Sequence, residues 1–166
     1  MNLNEIKLEQ VTLKTKTKLE NLMNLYLHDL SEFASDLKIN EDGKFEYEGF
    51  ELYFTSDDLK PFFIIYQDGM VGFVLLNTGK YVPRDIDYTI HEVFLLRGFR
   101  KKGIATISIK KLFDLYKGRY NIVQLGNNKI AIDFWKSFYK IEGIKYTEIK
   151  EIVDNFECCT QIFSKE

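Results

Sequence analysis

Apolar and polar residues alternate over Ile6–Val11, the period-two pattern of a half-buried strand. Thr17-Lys-Leu-Glu20 then sets a hydroxyl and a carboxylate three residues apart, the spacing of a helix capping box. Behind it Leu19, Leu22, Met23, Tyr26, Leu30 and Phe33 recur every three or four residues and predict a helix with one apolar stripe. Residues 34–60 lose the pattern. They form an acidic, irregular stretch around Asn40-Glu-Asp42-Gly43, with room for an extra hairpin or short helix. Two apolar runs, Phe62–Tyr66 and Met70–Leu76, flank a turn at Asp68-Gly69 and predict a hairpin buried on both faces.

After a loop with Pro83, Ile86–Leu96 reads as a third long strand of this group. A helix over about 103–117 follows, its apolar face made of Ala105, Ile109, Leu112, Phe113 and Tyr116. Asn121–Leu125 is a short buried strand, and Ala131, Phe134, Phe138 and Ile141 mark a second helix that starts at Asn127 or Asn128. Two strands close the chain near 144–150 and 157–163. The order β-α-loop-β-β-β-α-β-α-β-β predicts an α/β (α+β mixed) fold, a single domain over residues 1–166 with helices on both faces of a mixed sheet.

Composition agrees with a packed domain: of 166 residues 45% are hydrophobic and 29% charged, which excludes a disordered tail or a fibre. The net charge of −2 gives no global pull toward nucleic acid or an anionic membrane. Locally the balance differs. Residues 97–119 carry eight Lys/Arg and one acid, whereas residues 29–58 carry ten acids and two lysines. The only thiols, Cys158 and Cys159, are adjacent and point to opposite faces of a strand, so neither a disulfide nor a C-x-x-C zinc site is expected. Asn40-x-Asp42-Gly43 imitates a calcium loop, but its first and twelfth ligand positions fall on Lys38 and Gly49, and no metal is expected. With neither an apolar leader nor an 18-residue apolar run, the expected location is the cytoplasm, without a membrane partner.

The segment that carries chemistry is Leu96-Arg-Gly-Phe-Arg100-Lys-Lys-Gly103-Ile-Ala105, which joins a predicted strand to a predicted helix. The start of a helix offers unpaired N–H groups and a partial positive charge, so anions settle there. Gly103 admits close backbone approach, and Arg100, Lys101 and Lys102 add charge. Gly98 and Gly103 have the spacing of half a P-loop, but the Lys and Ser/Thr that would hold terminal phosphates and Mg²⁺ are replaced by Ile104 and Ala105. A metal-free diphosphate seat remains, against the plainer reading of a solvated basic loop.

Arg100-x-x-Gly103-x-Ala105 is similar to the R/Q-x-x-G-x-G/A motif of the GNAT superfamily of acyl-CoA N-acyltransferases. Asn128-Lys-Ile-Ala131-Ile-Asp-Phe134-Trp135 resembles its N-x-x-A-x-x-F-Y signature on the next helix. The resemblance implies a mostly antiparallel twisted sheet of six to seven strands, and acetyl-CoA as cosubstrate. It also implies direct transfer of the acetyl group to a primary amine in a ternary complex. Backbone amides from Arg100 through Ala105, with Ile104 and Thr106, would take the coenzyme diphosphate. The pantetheine arm would pair with Phe94, Leu95 and Leu96, one of whose amides (Phe94 or Leu95) would face the thioester carbonyl. Asn128 would touch the pantetheine or cap its helix, and Trp135 would lie beside the coenzyme. A homodimer fits the resemblance as well.

Acyl transfer to an amine needs a base. Glu92 stands on the strand with Tyr88, Ile90, Phe94 and Leu96 in the same alternation, and apolar neighbours raise a carboxyl's pKa toward a base's working range. A salt bridge at the sheet edge is the alternative role. His91 is expected on the opposite face. The tyrosine that many members use as general acid falls here on Trp135, whose indole cannot serve; Tyr139, one turn later, is the substitute candidate or else a packing residue. The amine acceptor, a small molecule or a peptide, is expected to be cationic, because the acidic 29–58 stretch would attract it. An acyl-CoA-binding module without catalysis is the alternative function.

Overall fold

The computed structural model describes residues 2–166. Seven strands form one sheet: β1 (Lys7–Gln10), β2 (Leu59–Tyr66), β3 (Gly69–Thr78), β4 (Tyr88–Leu95), β5 (Gly118–Leu125), β6 (Tyr146–Val153) and β7 (Phe156–Lys165). Their order is β1-β2-β3-β4-β5-β7-β6, and every neighbouring pair is antiparallel except β4 with β5. The mixed, mostly antiparallel sheet expected from the sequence is the one observed.

Three α-helices cover it: α1 (Lys16–Leu30), α2 (Ile104–Leu115) and α3 (Lys129–Glu142). Leu19, Leu22, Met23 and Leu27 of α1 pack on Phe63, Phe73, Leu75 and Phe94 on one face. On the other face Ile109, Leu112 and Phe113 of α2, with Trp135 and Phe138 of α3, pack on Val74, Leu76, Ile90, Tyr120 and Ile122. Both cores are built from side chains that alternate along the strands, as two-sided burial requires.

Several local expectations change. Helix α1 begins one residue before Thr17 without a side-chain cap; the capping pair belongs to the 3-10 turn Leu13–Thr15 just before it, where the Thr15 hydroxyl accepts from the Thr12 amide at 3.0 Å. The β2–β3 turn centres on Gln67 and Asp68, both at positive φ (50° and 60°), the backbone of a tight hairpin turn whose twist matches its strands. In α2 the buried face starts at Ile104 and includes Ser108, while Ala105 is only half-buried. Ile141 is 71% exposed, so the apolar stripe of α3 ends with Tyr139. Residues 34–58 hold a lone bridge between Ile39 and Phe45 and a 3-10 turn at Phe50–Phe54.

Two irregularities in β4 shape the site. Its register with β3 passes from Leu75↔Glu92 to Leu76↔Ile90, so His91 is an extra residue, a β-bulge. A bulge reverses the alternation beyond it. Tyr88 and Ile90 therefore face α2 and α3, whereas Glu92 and Phe94 face α1; the expected common face is corrected. On its other edge β4 pairs with β5 at Tyr88↔Tyr120 and Thr89↔Asn121 alone. From there the two strands diverge.

Candidate active site

The turn from β4 to α2 holds its backbone open. Lys101 (φ 57°) and Gly103 (φ 78°) are both left-handed, and Gly103 is the N-cap of α2 without a side-chain cap. A Cβ at Gly103 would meet only the Leu3 side chain, at 3.5 Å, so glycine answers the backbone angle rather than a lack of room. The first amide of the helix with a protein acceptor is Ile107, bonded to Gly103 O at 3.0 Å. Among the described residues the amides of Lys101 through Thr106 have no protein acceptor. A run of unpaired N–H groups at a helix start, bent by left-handed residues, makes a concave anion seat.

Arg100 itself is used differently from the expectation. Its amide bonds Arg97 O at 3.2 Å, so the open run begins one residue later. Its guanidinium donates through Nε to Leu95 O at 2.8 Å and through Nη2 to Asp29, and lies 5.5 Å from the Phe94 ring centre. Arg97 donates to the other oxygen of Asp29 at 2.6 Å. Partial burial pushes the Asp29 carboxyl up, but the hydrogen bonds from Arg100 and Arg97 outweigh it and hold the group below its ordinary value. Lys102 Nζ donates to Gly98 O at 2.6 Å. Lys101 remains the exposed lysine at the rim.

This turn opens a cleft of about 590 Å³, walled by Tyr26, Leu30 and Phe33, by Val93–Leu95, by the start of α2, and by Asn128, Ala131, Phe134 and Trp135. The cleft lies where β4 and β5 separate. Leu96 N bonds Val71 O at 2.9 Å on the β3 side, and by strand alternation Phe94 turns its amide the same way. Val93 and Leu95 therefore turn their backbone groups toward the gap. Leu95 O is capped by Arg100 there, leaving the amides of Val93 and Leu95 for a ligand. Of the two amides considered from sequence, Leu95 is the one so turned, and Phe94 is not. Leu96 packs with the α1-side core and, like Lys102, stands outside the cleft.

Asn128 caps α3: its side chain accepts from Ala131 N at 3.0 Å while the residue also lines the cleft. Trp135 is buried and forms the cleft wall. Tyr139 is not brought to the cleft. It packs against Trp135, Tyr146 and Phe163, its hydroxyl has no hydrogen-bond partner, and burial pushes its pKa far up.

Glu92 sits across β4 from the cleft, on the α1 side. Its carboxylate accepts from Tyr26 and, at 3.2 Å, from Tyr47. Burial pushes the carboxyl above its ordinary value; His91 and the two tyrosine hydrogen bonds pull the other way without cancelling it. The bulge also brings His91 to Glu92's side, with Nε2 4.0 Å from Oε1 and its ring against Tyr47. Tyr53, hydrogen-bonded to Asn77 at 2.8 Å, closes the group from beneath. Tyr26, Tyr47 and Asp29 are residues that sequence reasoning placed only in a stripe or an acidic run. The visible signal was a polar-tipped tyrosine and an aspartate three residues apart within one helical face.

An anion seat at a helix start thus opens onto a gap between parallel strands that bares backbone groups, with the buried Glu92 carboxylate on the opposite side of β4. A sequence profile of the Acetyltransferase (GNAT) family matches residues 19–138, and the chain belongs to that family. No curated protein matches the sequence. Among solved structures it is similar to an acetyltransferase from Thermus thermophilus (16% identity, 98% of each chain, TM-score 0.67). It is also similar to the aminoglycoside acetyltransferase AAC(6')-Ib in complex with coenzyme A (12% identity, 96% of this chain and 95% of that one, TM-score 0.68). A third is the spermidine N-acetyltransferase of Vibrio cholerae (13% identity, 98% of this chain and 95% of that one, TM-score 0.64). At these identities the likeness is one of fold.

Proposed function

We propose that this protein is an acetyl-CoA-dependent N-acetyltransferase that moves the acetyl group directly to a primary amine. The observation that carries the reading is the run of unpaired amides from Lys101 to Thr106 at the mouth of the cleft. These amides would take the coenzyme diphosphate, with Lys101 adding charge at the rim. The pantetheine arm would run along Val93–Leu95 as an added strand, and Trp135 and Phe134 would flank it. The Leu95 amide faces the gap and would donate to the carbonyl oxygen as negative charge builds on it.

The amine would approach from the α1 face, where Glu92 accepts its proton. Burial raises the pKa of this carboxyl, so it holds a proton more tightly than a free carboxylate does, which suits it as a base. A cationic acceptor suits the surroundings. The acidic segment lies over Glu92 through Tyr47, which Glu46 and Glu48 flank on the exposed side. Asp29 contributes nothing to that field, since Arg97 and Arg100 hold it. The acceptors that two of the structural neighbours' names carry, an aminoglycoside and spermidine, are polycations of this kind.

The test is thiol release from acetyl-CoA over a panel of amines, with Glu92→Gln as control and coenzyme binding followed by calorimetry. Amine-dependent release that the Gln variant loses while it still binds coenzyme is the expected result. Binding without release for every amine would make the protein an acyl-CoA-binding module. Absence of binding at millimolar coenzyme would overturn both readings.

A further inference from the structure

We propose that Tyr26 is a catalytic residue of this acyl transfer, whose hydroxyl relays to the departing thiolate the proton that Glu92 takes from the amine. The inference rests on the acetyl-transfer reading above and assigns it a residue from α1. Among the described residues, Tyr26 both lines the cleft and hydrogen-bonds to Glu92. Tyr47, the second donor to that carboxylate, does not line the cleft. Tyr139 lies off the cleft with its hydroxyl buried, and the indole N–H of Trp135 is too weak an acid to protonate a thiolate.

The position of Tyr26 is fixed from three sides. Its ring stands edge-on to Phe73 (centroids 5.8 Å apart) and to Phe94 (6.1 Å). One turn further along α1, Asp29 ties the helix to Arg97 and Arg100. Tyr26 thus stands between β4, whose Glu92 its hydroxyl meets, and the cleft that the residue helps to wall.

The step balances without any outside reagent. The amine nitrogen bonds to the acyl carbon as the carbon–sulfur bond breaks. The nitrogen's proton passes to Glu92, the Tyr26 proton passes to sulfur, and the proton on Glu92 refills the phenol oxygen. An amide and a thiol leave, and both side chains end as they began. Because the phenol is refilled as it gives, it never carries a charge; this accords with a hydroxyl whose pKa is pushed up by burial and then by Glu92.

Tyr26→Phe keeps the ring contacts and removes the proton. The expected result is a kcat at least tenfold lower, with coenzyme affinity by calorimetry within twofold of wild type. The groups facing Glu92 are Tyr26 of α1, Tyr47 of the 31–49 segment, Tyr53 of the 3-10 turn and His91 of β4 itself. Loss of one hydrogen bond to the ionised carboxylate raises its pKa, so the acid limb of the kcat/KM profile moves up by about one pH unit. A kcat within threefold of wild type overturns the relay. So does a lower kcat with an unmoved acid limb, since the working enzyme would then lack the Tyr26–Glu92 hydrogen bond through which the proton must pass.

A second measurement needs no variant. Two protons in motion bow the single-turnover rate of the wild type downward in H₂O/D₂O mixtures, and a straight line overturns the relay. An active wild type with an indifferent Phe variant refutes Tyr26 alone. A wild type inactive on every amine refutes the transferase reading itself.

Discussion

Asp29, in the last turn of α1, and Arg100, in the turn before α2, are joined by a hydrogen-bonded ion pair that reaches across β4. Arg97 completes the clamp from the other oxygen of the carboxylate. Because the Asp29 pKa lies below its ordinary value, the clamp stabilises the fold fully above the unfolded carboxyl's pKa. That contribution is lost as pH falls through the folded-state value. Asp29→Asn should therefore lower the melting midpoint by a few degrees at pH 7. As pH falls below the ordinary carboxyl pKa the two midpoints should converge, since the contribution disappears as the folded-state carboxyl protonates. Equal midpoints at pH 7 would mean that solvent screening cancels the pair.

Glu92 gives the opposite sign. Its raised pKa means that the folded state binds the proton more tightly, so stability falls as pH rises from the unfolded pKa to the folded one. Glu92→Gln should melt higher than wild type at pH 7.5, and the gain should vanish near pH 4. Amine acetylation by the same variant should fall by about 10²–10⁴-fold, the range for loss of a general base. Coenzyme affinity should not change.

At Gly103 the residue's angle, not its surroundings, is the constraint. Gly103→Ala places a side chain on a left-handed backbone at a cost of about 1–2 kcal/mol. The turn can escape by rotating its amides out of the concave seat. Calorimetry should show coenzyme affinity down at least tenfold, with a lower melting midpoint.

Tyr139 carries a buried hydroxyl without a partner. Tyr139→Phe should be neutral or stabilising, by up to about 1 kcal/mol, since an unsatisfied buried donor is costly. Its kcat should stay within twofold of wild type. A large loss of kcat would reinstate Tyr139 as an acid.

Periodicity disclosed the elements because each helix and strand buries a whole face: the Leu19–Leu27 stripe and the β2–β3 runs are visible in the chain itself. Local spacing likewise disclosed the turn at Arg100–Ala105 and the cap at Asn128, whose geometry is set by near neighbours. The bulge at His91 was not visible. Tyr88, Ile90, Glu92 and Phe94 continue an unbroken alternation, and only the partner strand decides that one residue is extra. The uses of Arg100 and Tyr26 were hidden for the same reason. Each is defined by a partner, Asp29 or Glu92, more than sixty residues away in the chain.

The brief pairing of β4 with β5 has a mechanical consequence. Strands β1–β4 and β5–β7 are two antiparallel leaves whose ladders meet at two residue pairs and which share, on one face, the core built by α2 and α3. A cosubstrate lying in the gap would bond to one leaf and press on the helices of the other, acting as the missing seam. Because the shared core couples the leaves, the ligand-free protein should melt in one transition, and a bound cosubstrate should raise its midpoint by bracing the open seam.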